Sequence, residues 1–438
     1  MPTSLPYGSP QAVQIQSAGL FAASMQRNTT LNRLTGKLPT QADAEANMRV
    51  QSSNKYPIVL CKDLSKTAGD EITFDLINPL GGKPIMGGKN AEGLGRSLSF
   101  SQDKLRINQT RYPVSAGDAM TQQRTKWQLR SLARTAAEEY MNRLMDQLTL
   151  VHLAGARGFH DNIEWAVPLA SDPDFADICV NTIKAPTRNR HFMSTGTGIE
   201  QVNASANAIG IGTGDVMNVD VIDALRTYLD SMPLPPSPIV FDGDKMAADS
   251  PLRVLLVSSE QYTSIVQSNS GSFRTFQANA MARAQQAGNH PLFMGEAGLW
   301  NGILIVKMPK PIRFYGGDEL RWCPSTTSEA ERSIANSNAD YIPTSGFGAA
   351  GSRAYAVDRA LLLGGQALAT ALGMNNKTGN PFFWSEKELD HGDKLEVLIG
   401  AMNGSSKIRF LIDHGNESQY TDNGVIAIDT AVKLTAGV

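Results

Sequence analysis

The chain has 438 residues and a formal net charge of −2 at pH 7, and its three cysteines, Cys61, Cys179 and Cys323, are widely separated. A near-neutral chain has no overall attraction to nucleic acid or to an anionic membrane, and this cysteine spacing indicates neither a disulfide framework nor a zinc pair. The longest uncharged apolar stretch, residues 360–374, is too short and too rich in glycine to span a bilayer. The length allows two or three domains with a large core.

Residues 1–55 are polar, with short apolar islands such as Leu20–Phe21. Basic side chains outnumber acidic ones here, and the segment shows no continuous apolar periodicity. The composition predicts an extended arm and not a packed domain. Two interpretations stay open: a partly helical leader that lies on its own subunit, and an arm that lies across a neighbouring subunit.

Residues 56–114 predict a β-hairpin with an unusually long tip. Apolar residues alternate at Ile72, Phe74 and Leu76, and again on the return side, where they are Leu98, Phe100, Leu105 and Ile107. Between them lies NPLGGKPIMGGKNAEGLG (78–95). Hairpin loops usually need two to five residues, so a tip of this length is typical of a binding element. A phosphate-binding loop is disfavoured, because the Walker spacing fails and a strand follows where a helix is required.

Asp118–Leu153 contains no Gly or Pro and repeats apolar residues at helical spacing, which predicts one long helix. Ser115 and Asp118 stand in capping-box spacing at its start, and Gly155 supplies a stop. At about 1.5 Å per residue the helix would be roughly 54 Å long, against a radius of gyration of about 22 Å for a compact globule of this length. The pattern favours a flat or elongated subunit over the alternative, a bundle of equal helices. We expect Leu129, Ala136, Tyr140 and Leu144 to face a sheet, and the Arg124–Asp146 face to look outward or onto a neighbour.

The rest of the chain mixes helices and strands without a regular βαβ alternation, so the predicted class is α+β. Residues 156–214 and 321–350 are polar loops or insertions. The expected helices and strands, in chain order, are a helix over Asn218–Leu229, a strand over 253–257, helices from Ser259 to Gln267 and from Ser272 to Gln286, a strand over Gly302–Lys307, a helix over Ser352–Leu372, and short strands from Leu389 to the end.

No catalytic, cofactor or metal motif is present. The six histidines lack metal-ligand spacing, and the Asp-His-Gly turns at His391 and His414 are more typical of plain turns than of metal sites. None of the common hydrolase, zinc-protease or dinucleotide signatures occurs, and the tryptophans are scattered instead of clustered among basic residues. We therefore expect no catalytic residue, no cofactor and no metal.

Seven short passages, taken in order over roughly residues 56–438, carry a likeness to a known family: CKDLSKTAGDEITFDL (61–76), LRINQTRYPVSAGDAMTQQRTKWQLRSLARTAAEEYMNRLMDQLTLVHLAG (105–155), KAPTRNRHFMSTG (184–196), RVLLVSSEQYTSIV (253–266), NHPLFMGEAGLWNGILIVKMPKPIRF (289–314), YAVDRALLLGGQALATALG (355–373) and LDHGDKLEVLIGAMNGSSKIRF (389–410). They resemble the major capsid proteins of the N4-like group of phages, which are built on the HK97-type capsid fold.

The resemblance implies names for the segments. They would be an N-terminal arm (1–55), an extended hairpin or E-loop (56–114), a peripheral domain (115–214) with a spine helix at 118–153, an axial domain (215–380), and a return to the peripheral sheet (381–438). It also implies a structural protein, not an enzyme, that self-assembles into an icosahedral shell around double-stranded phage DNA. It would be made in the host cytoplasm and located in the virion.

The implied partners are copies of the chain itself in hexamers and pentamers, portal and scaffolding proteins, a decoration protein, and packaged DNA contacted without sequence specificity; no membrane is involved. Candidate assembly contacts lie in the hairpin tip and on the long helix and the strand before it: Gly81, Gly82, Lys83, Gly87, Gly88, Lys89, Arg111, Arg124 and Arg134. Some shells of this fold crosslink a tip Lys to a neighbour's Asn, but no partner Asn or Glu can be matched here. The alternatives are an encapsulin-like compartment shell and, from another class, a soluble hydrolase with a site made of scattered residues.

Overall fold

The structure is a computed structural model. It describes residues 29–36, 52, 55–62, 69–77, 84–87, 92, 100–126, 128–160, 162–202, 210–241, 244, 246–247, 249–268, 270–286, 290–293, 297–331, 342, 346–347, 354–375, 379–391, 393–413 and 418–434. Its helices are α1 (Thr30–Arg33), α2 (Ala119–Arg124), α3 (Leu129–Ala154), α4 (Phe175–Cys179), α5 (Val219–Ser231), α6 (Ser259–Ser268) and α7 (Ser270–Gln286), with short 3-10 turns at Arg188–Arg190 and Pro291–Phe293.

The strands outnumber the helices and mix long and short elements. In chain order they are β1 (Ile58–Cys61), β2 (Glu71–Ile77), β3 (Phe100–Arg106), β4 (Asn108–Asp118), β5 (His191–Ser194), β6 (Ile199–Gln201), β7 (Arg253–Val257), β8 (Gly298–Trp300), β9 (Ile303–Lys307), β10 (Arg313–Phe314), β11 (Tyr355–Leu363), β12 (Leu368–Leu372), β13 (Phe382–Leu389), β14 (Lys394–Lys407), β15 (Arg409–Asp413), β16 (Ser418–Asp422) and β17 (Val425–Lys433).

An eight-stranded sheet forms the centre of one half of the subunit. Its strand order is β6-β5-β17-β11-β7-β9-β8, and β10 pairs with β11. Successive residues of its central strands enter two different cores. Leu361 and Leu363 pack with Leu150 and Val151 of α3 on one face, whereas Leu362 packs with α5 and α6 on the other. Burial of both faces explains why these strands are continuous apolar runs in the sequence.

The second half is a five-stranded sheet in the order β1-β12-β14-β13, with β4 also paired to β14. The long strand β14 organises it, because β13 pairs with residues 394–401 on one side and β4 pairs with residues 394–403 on the other. Helix α3 lies on this sheet with its first turns and reaches the other sheet's core with its last turn. The hairpins β2–β3 and β15–β16 pair separately.

The predicted helix over 118–153 is corrected by the structure to two helices. Asp118 is the N-cap of α2 and accepts a hydrogen bond from the Thr121 N–H at 2.8 Å, but α2 ends at Arg124 and Thr125 is extended. Helix α3 starts at Leu129 and has 26 residues, which makes it about 39 Å long. Residues 120–124 are exposed, so no buried apolar face holds a helix through the break, and tertiary packing supplies most helical stability. The predicted stop is confirmed: Gly155 is left-handed at φ 66° and its N–H donates to the Val151 carbonyl.

The expected helix over Ser352–Leu372 is wrong, because this stretch forms strands β11 and β12. Its run of Leu and Ala is buried on both faces, and a fully buried strand cannot be told from a buried helix by periodicity alone. Gly364 turns the chain between the two strands, where a Cβ would meet the Ser237 carbonyl at 2.5 Å. The expected strands at 253–257 and 302–307 and the helices beginning near 218, 259 and 272 are present.

Membership of the two sheets differs from the ranges expected from the sequence. Strand β17 of the segment 381–438 lies at the centre of the eight-stranded sheet, between β5 and β11. Strand β12 of the segment 215–380 lies in the five-stranded sheet, between β1 and β14. The chain therefore crosses between the two halves more often than a contiguous division allows.

Candidate assembly surface

The inner face of α3 holds the helix on the five-stranded sheet. Ala137, Met141 and Leu144 are buried in one cluster with Trp384 and Ile399. Tyr140, expected to face the sheet, stacks on Tyr112 of β4 at a ring-centroid distance of 3.9 Å. Leu129 is half-buried, and Ala136 is exposed because the contact stripe passes through Ala133 and Ala137 instead.

Charged side chains fasten the first turns of α3 to the neighbouring strand β13. The Arg130 guanidinium donates to both Glu386 oxygens, with Nη2 to Oε2 at 2.7 Å. Arg134 lies over the Trp384 ring at 5.4 Å from its centroid and also pairs with Glu138 at 3.1 Å. Bidentate Arg–carboxylate geometry adds orientation as well as energy, so these contacts fix the direction of the helix on the sheet.

The outer side near the α2–α3 break carries exposed apolar groups. Met120 and Leu132 are each 56% exposed. A groove at the break is lined mostly by polar side chains, among them Lys126, Arg130 and Glu386. Exposed apolar side chains rimmed by polar ones are typical of protein–protein contacts, and we call this surface, from Met120 to Arg134, the α2–α3 groove.

The β2–β3 hairpin combines a buried base with an exposed end. Ile72 and Leu105 pack in a small core with β1 and β12. Asp103 fixes the base, because its carboxylate accepts from Lys184 Nζ at 2.7 Å and from the Arg409 N–H at 2.9 Å. At the other end Phe100 is 62% exposed. Next to Phe100, Ser101 is buried and its hydroxyl donates to the Leu411 carbonyl of β15, so the described part of the hairpin contacts its own subunit along β3.

Few of the residues predicted as assembly contacts can be placed. Gly87 is exposed, with a φ of 68° and open space around it. Arg111 is exposed on β4 opposite Gly400, and Arg124 is exposed at the end of α2. Arg134 makes contacts within its own subunit. The remaining predicted contacts lie outside the described residues: Gly81, Gly82, Lys83, Gly88 and Lys89.

A buried ion cluster, which the sequence patterns did not reveal, joins helix α3 to the eight-stranded sheet. The Arg359 guanidinium donates to both carboxylate oxygens of Asp429, at 2.7 and 2.9 Å, and to the Ala154 carbonyl at the end of α3, at 2.9 Å. His191 Nε2 lies 2.7 Å from the same carboxylate. Burial would raise the pKa of Asp429, but the charge of Arg359 and the contact with His191 hold it well below its usual range. The carboxylate is therefore ionised, and it holds β11, β17, β5 and α3 together.

A second cluster lies where β14, β15 and β16 meet. Asp422 accepts from Arg409 Nε at 2.8 Å and lies 2.8 Å from Lys407 Nζ, with all three side chains no more than 2% exposed. Burial lowers the pKa of Lys407 to about 8. Burial would raise the pKa of Asp422, but the two cations outweigh this and lower it to about 2.

A third buried pair joins Arg313 to Asp358 at 2.7 Å. One sequence signal did exist for these clusters: Asp358-Arg359 interrupts the otherwise apolar run of β11. Buried charges are rarely kept unless they are paired, so a charged pair inside such a strand predicts partners without naming them.

The described part of the chain shows neither a cluster of metal-ligating side chains nor a membrane-spanning helix. No three His, Cys, Asp or Glu side chains come together there as a metal site, and none of the helices placed in the structure has the length and apolar character of a membrane span. Cys61, Cys179 and Cys323 are buried and form no disulfide bond. His391 lies in an exposed turn, and His414 lies outside the described residues.

Comparison with known proteins gives one family and a set of similar structures. The family described as phage capsid protein matches residues 4–434. The capsid of Ralstonia phage GP4 is 26% identical, with 88% of this chain and 90% of that chain covered and a TM-score of 0.64.

More distant structures show the fold alone, which is of the HK97 type. The capsid of cyanophage Pam1 is 14% identical, with 87% of this chain and 90% of that chain covered and a TM-score of 0.55. The acid-stable capsid of Helicobacter pylori phage KHP30 is 12% identical, with 92% and 91% covered and a TM-score of 0.53. A comparison with curated proteins finds no match.

Proposed function

The chain belongs to the family of phage capsid proteins, and we infer from its geometry which surfaces of one subunit contact the next. As the major capsid protein it forms the icosahedral head that encloses the double-stranded DNA of a tailed phage, and it acts as a structural protein and not as an enzyme. The chain functions by associating with other copies of itself. The driving force is apolar burial summed over many copies, and each contact can be weak because a subunit engages several neighbours at once.

We propose that the exposed end of the β2–β3 hairpin lies in the α2–α3 groove of an adjacent subunit. The observation that carries this is that both surfaces expose apolar side chains: Phe100 at the start of β3, and Met120 and Leu132 on α2 and α3. Asp103 and Ser101 hold β3 on its own subunit, whereas the Phe100 side chain is exposed. Burying such groups against each other contributes about 25 cal/mol per Å² of apolar area.

The remaining candidate contacts follow from the same proposal. The tip glycines, Gly81, Gly82, Gly87 and Gly88, would let the backbone approach a neighbour closely. Arg111 and Arg124 are exposed and available for ion pairs between subunits, whereas Arg134 orients α3 within its own subunit. Lys83 and Lys89 are expected to stay uncrosslinked, so that virion subunits run at monomer mass on a denaturing gel.

Finer assignments are proposals of the same kind. The quoted passages support the N4-like group. The five-stranded sheet with α3 would be the peripheral domain, the eight-stranded sheet with α5, α6 and α7 the axial domain, β2–β3 the E-loop, and residues 1–55 the N-terminal arm. The partners would be copies of the chain in hexamers and pentamers, portal and scaffolding proteins, a decoration protein and nonspecifically contacted DNA.

The assembly proposal is tested by Phe100→Glu and Leu132→Glu in the full-length chain. Each adds a charge at an exposed position, so the stability of the free subunit should change by no more than about 0.5 kcal/mol, as measured by urea unfolding. Shell yield, counted by negative-stain microscopy after sedimentation, should fall at least ten-fold.

The matched control is Met281→Glu on α7, where Met281 is 57% exposed. It should assemble like the parent chain. Parental shell yield from both Phe100→Glu and Leu132→Glu would refute the proposed contact, and equal losses from all three variants would show that the effect is not specific to this surface.

A further inference from the structure

The turn Asn162–Trp165, in the loop after α3, carries the most exposed large apolar side chain in the described part of the chain. That side chain is Ile163, which is 98% exposed. The Trp165 N–H donates to the Asn162 carbonyl at 3.1 Å and closes the turn, and the Glu164 N–H donates to Asn162 Oδ1 at 3.1 Å. Ile163 therefore lies at the tip of an ordered turn, and we call it the Ile163 tip.

A buried glutamine of α3 fixes this turn to the helix. Gln147 is 3% exposed. Its Nε2 donates to the Glu164 carbonyl at 2.8 Å, and its Oε1 accepts from the Ala166 N–H at 2.7 Å. The preceding residue, Asp146, is only 8% exposed. This part of the helix face, which the sequence predicted to look outward or onto a neighbour, is thus covered by the subunit itself.

Two cations hold the rest of the loop. Arg157 Nε donates to the Val167 carbonyl at 2.9 Å, and its Cζ lies 3.7 Å from the centroid of the Trp165 ring. Lys310 forms an ion pair with the Glu164 carboxylate. Because the loop is already ordered in the free subunit, covering Ile163 with a neighbour costs little ordering of the backbone.

A groove of about 250 Å³ opens beside the end of α3, and we call it the Phe159 groove. Its apolar lining is formed by Phe159, Phe175, Ile183 and Phe314. Its charged lining residues are Arg157, Glu319 and Arg321. Charges of both signs favour neither an anionic nor a cationic occupant, whereas the aromatic walls suit an aliphatic side chain. Phe159 is 39% exposed, so the groove is open to a partner.

We propose that the Ile163 tip of one subunit inserts into the Phe159 groove of an adjacent copy of the chain. The chain belongs to a capsid family, so each subunit has other copies as neighbours. One chain carries both an uncovered aliphatic tip and an open apolar groove, and a contact between two different surfaces of identical subunits repeats from copy to copy. Such a head-to-tail contact closes into a ring when the rotation between subunits permits it.

The inference rests on the assembly of the chain into shells, but not on the proposed contact of the β2–β3 hairpin. The tip and the Phe159 groove share no residue with that hairpin or with the α2–α3 groove. Full burial of an isoleucine strengthens a contact by about ten-fold to a hundred-fold, and the gain is multiplied where a subunit makes several contacts at once.

Crosslinking in mixed shells tests the inference. Ile163→Cys and Ser171→Cys chains are assembled together in equal amounts, because Ser171 is exposed and lines the Phe159 groove. Mild oxidation followed by a non-reducing denaturing gel should give dimers from the mixed shells and none from shells of either variant alone. Mixed shells without dimers would overturn this contact and leave the hairpin contact standing. Dimers from Ile163→Cys alone would overturn it by placing two tips together.

Shell yield with substitutions at Ile163 gives an independent readout. Ile163→Ser removes the apolar side chain at an exposed position, so urea unfolding of the free subunit should match the parent's while shell yield falls at least ten-fold. The matched control Ile163→Val removes one methylene and should keep the yield within about four-fold of the parent's. Equal yields from Ile163→Ser and the parent would contradict the inference.

Discussion

The substitution Asp429→Asn tests whether the buried ion cluster holds the two halves of the subunit together. Asp429 and Arg359 are both fully buried, with Nε to Oδ1 at 2.7 Å. The amide of Asn has nearly the shape of the carboxylate but no charge, so it leaves the guanidinium in the core without a counter-ion. Removing one partner of a buried pair costs about 3–5 kcal/mol.

The contacts that remain place the expected loss in free energy of unfolding near the lower end of that range. Arg359 keeps its hydrogen bond to the Ala154 carbonyl, and the oxygen of the introduced amide can still accept from it. We therefore expect a loss of about 3 kcal/mol, out of a typical total of about 5–15 kcal/mol. With a urea dependence of about 3 kcal/mol per M, the unfolding midpoint of the free subunit should fall by about 1 M.

The assay is urea unfolding of the unassembled chain, followed by tryptophan fluorescence and far-UV circular dichroism. A matched control is Asp390→Asn, which breaks an exposed ion pair. The Asp390 side chain is 60% exposed and that of its partner Lys394 is 55% exposed. Asp390 has a φ of 57°, which Asn tolerates well, and the loss should stay under about 1 kcal/mol.

A double variant separates the lost charge partner from lost packing. Adding Arg359→Met to Asp429→Asn removes the unpaired cation, and apolar replacements of a buried pair are often neutral. Much of the lost stability should therefore return. Two results would show that the ion pair does not stabilise the fold in this way. One is a urea midpoint of Asp429→Asn that falls no further than that of Asp390→Asn. The other is a double variant whose free energy of unfolding is lower than that of Asp429→Asn by as much as a second buried substitution would cost alone.

Two further predictions concern pH and backbone packing. Burial lowers the pKa of His152 to about 4, below its ordinary value, so on acidification the unfolded chain binds a proton at this side chain before the folded chain does. Subunit stability should therefore fall by up to about 3 kcal/mol between about pH 6.5 and about pH 4. Urea midpoints measured over this pH range should fall less steeply in His152→Gln, and an unchanged slope would contradict the prediction. At Gly404 a Cβ would lie 1.9 Å from the Arg106 carbonyl, whereas Gly214 has nothing within 4 Å. Gly404→Ala should therefore cost about 1–3 kcal/mol or more in thermal unfolding while Gly214→Ala stays near the parent, and equal shifts would contradict a steric clash at Gly404.

The local elements were predictable wherever a single stretch carries its own signal. Asp118 caps a helix and Gly155 ends one, because side-chain capping and left-handed glycine act within a few residues. The alternation at Ile72 and Phe74 predicted β2. The break between α2 and α3 was not predicted, because no Gly or Pro marks it in the sequence. The run from Ala360 to Leu372 was misassigned, since it is buried on every side in either structure.

The candidate site was predictable only in part. The glycine-rich tip after β2 and the outer face of the long helix were predicted as contact elements and stay predictions, whereas the likeness of many short passages identified the phage capsid family. The groove lined by Lys126 and Arg130 was missed, because it exists only where the chain breaks between α2 and α3. The ion clusters around Asp429 and Asp422 were missed as well, because their partners are far apart in the chain.

The sequence by itself determined the class of the protein, its α+β composition and the C-terminal end of its longest helix, since these depend on periodicity, capping and turn chemistry over short distances. Only the tertiary structure decided which strands share a sheet, why β17 lies between β5 and β11, and which buried charges meet. Those outcomes depend on pairing between residues far apart in the chain: Arg359 meets Asp429 because β11 pairs with β17 in that register, and it reaches the end of α3 because the helix lies against that sheet.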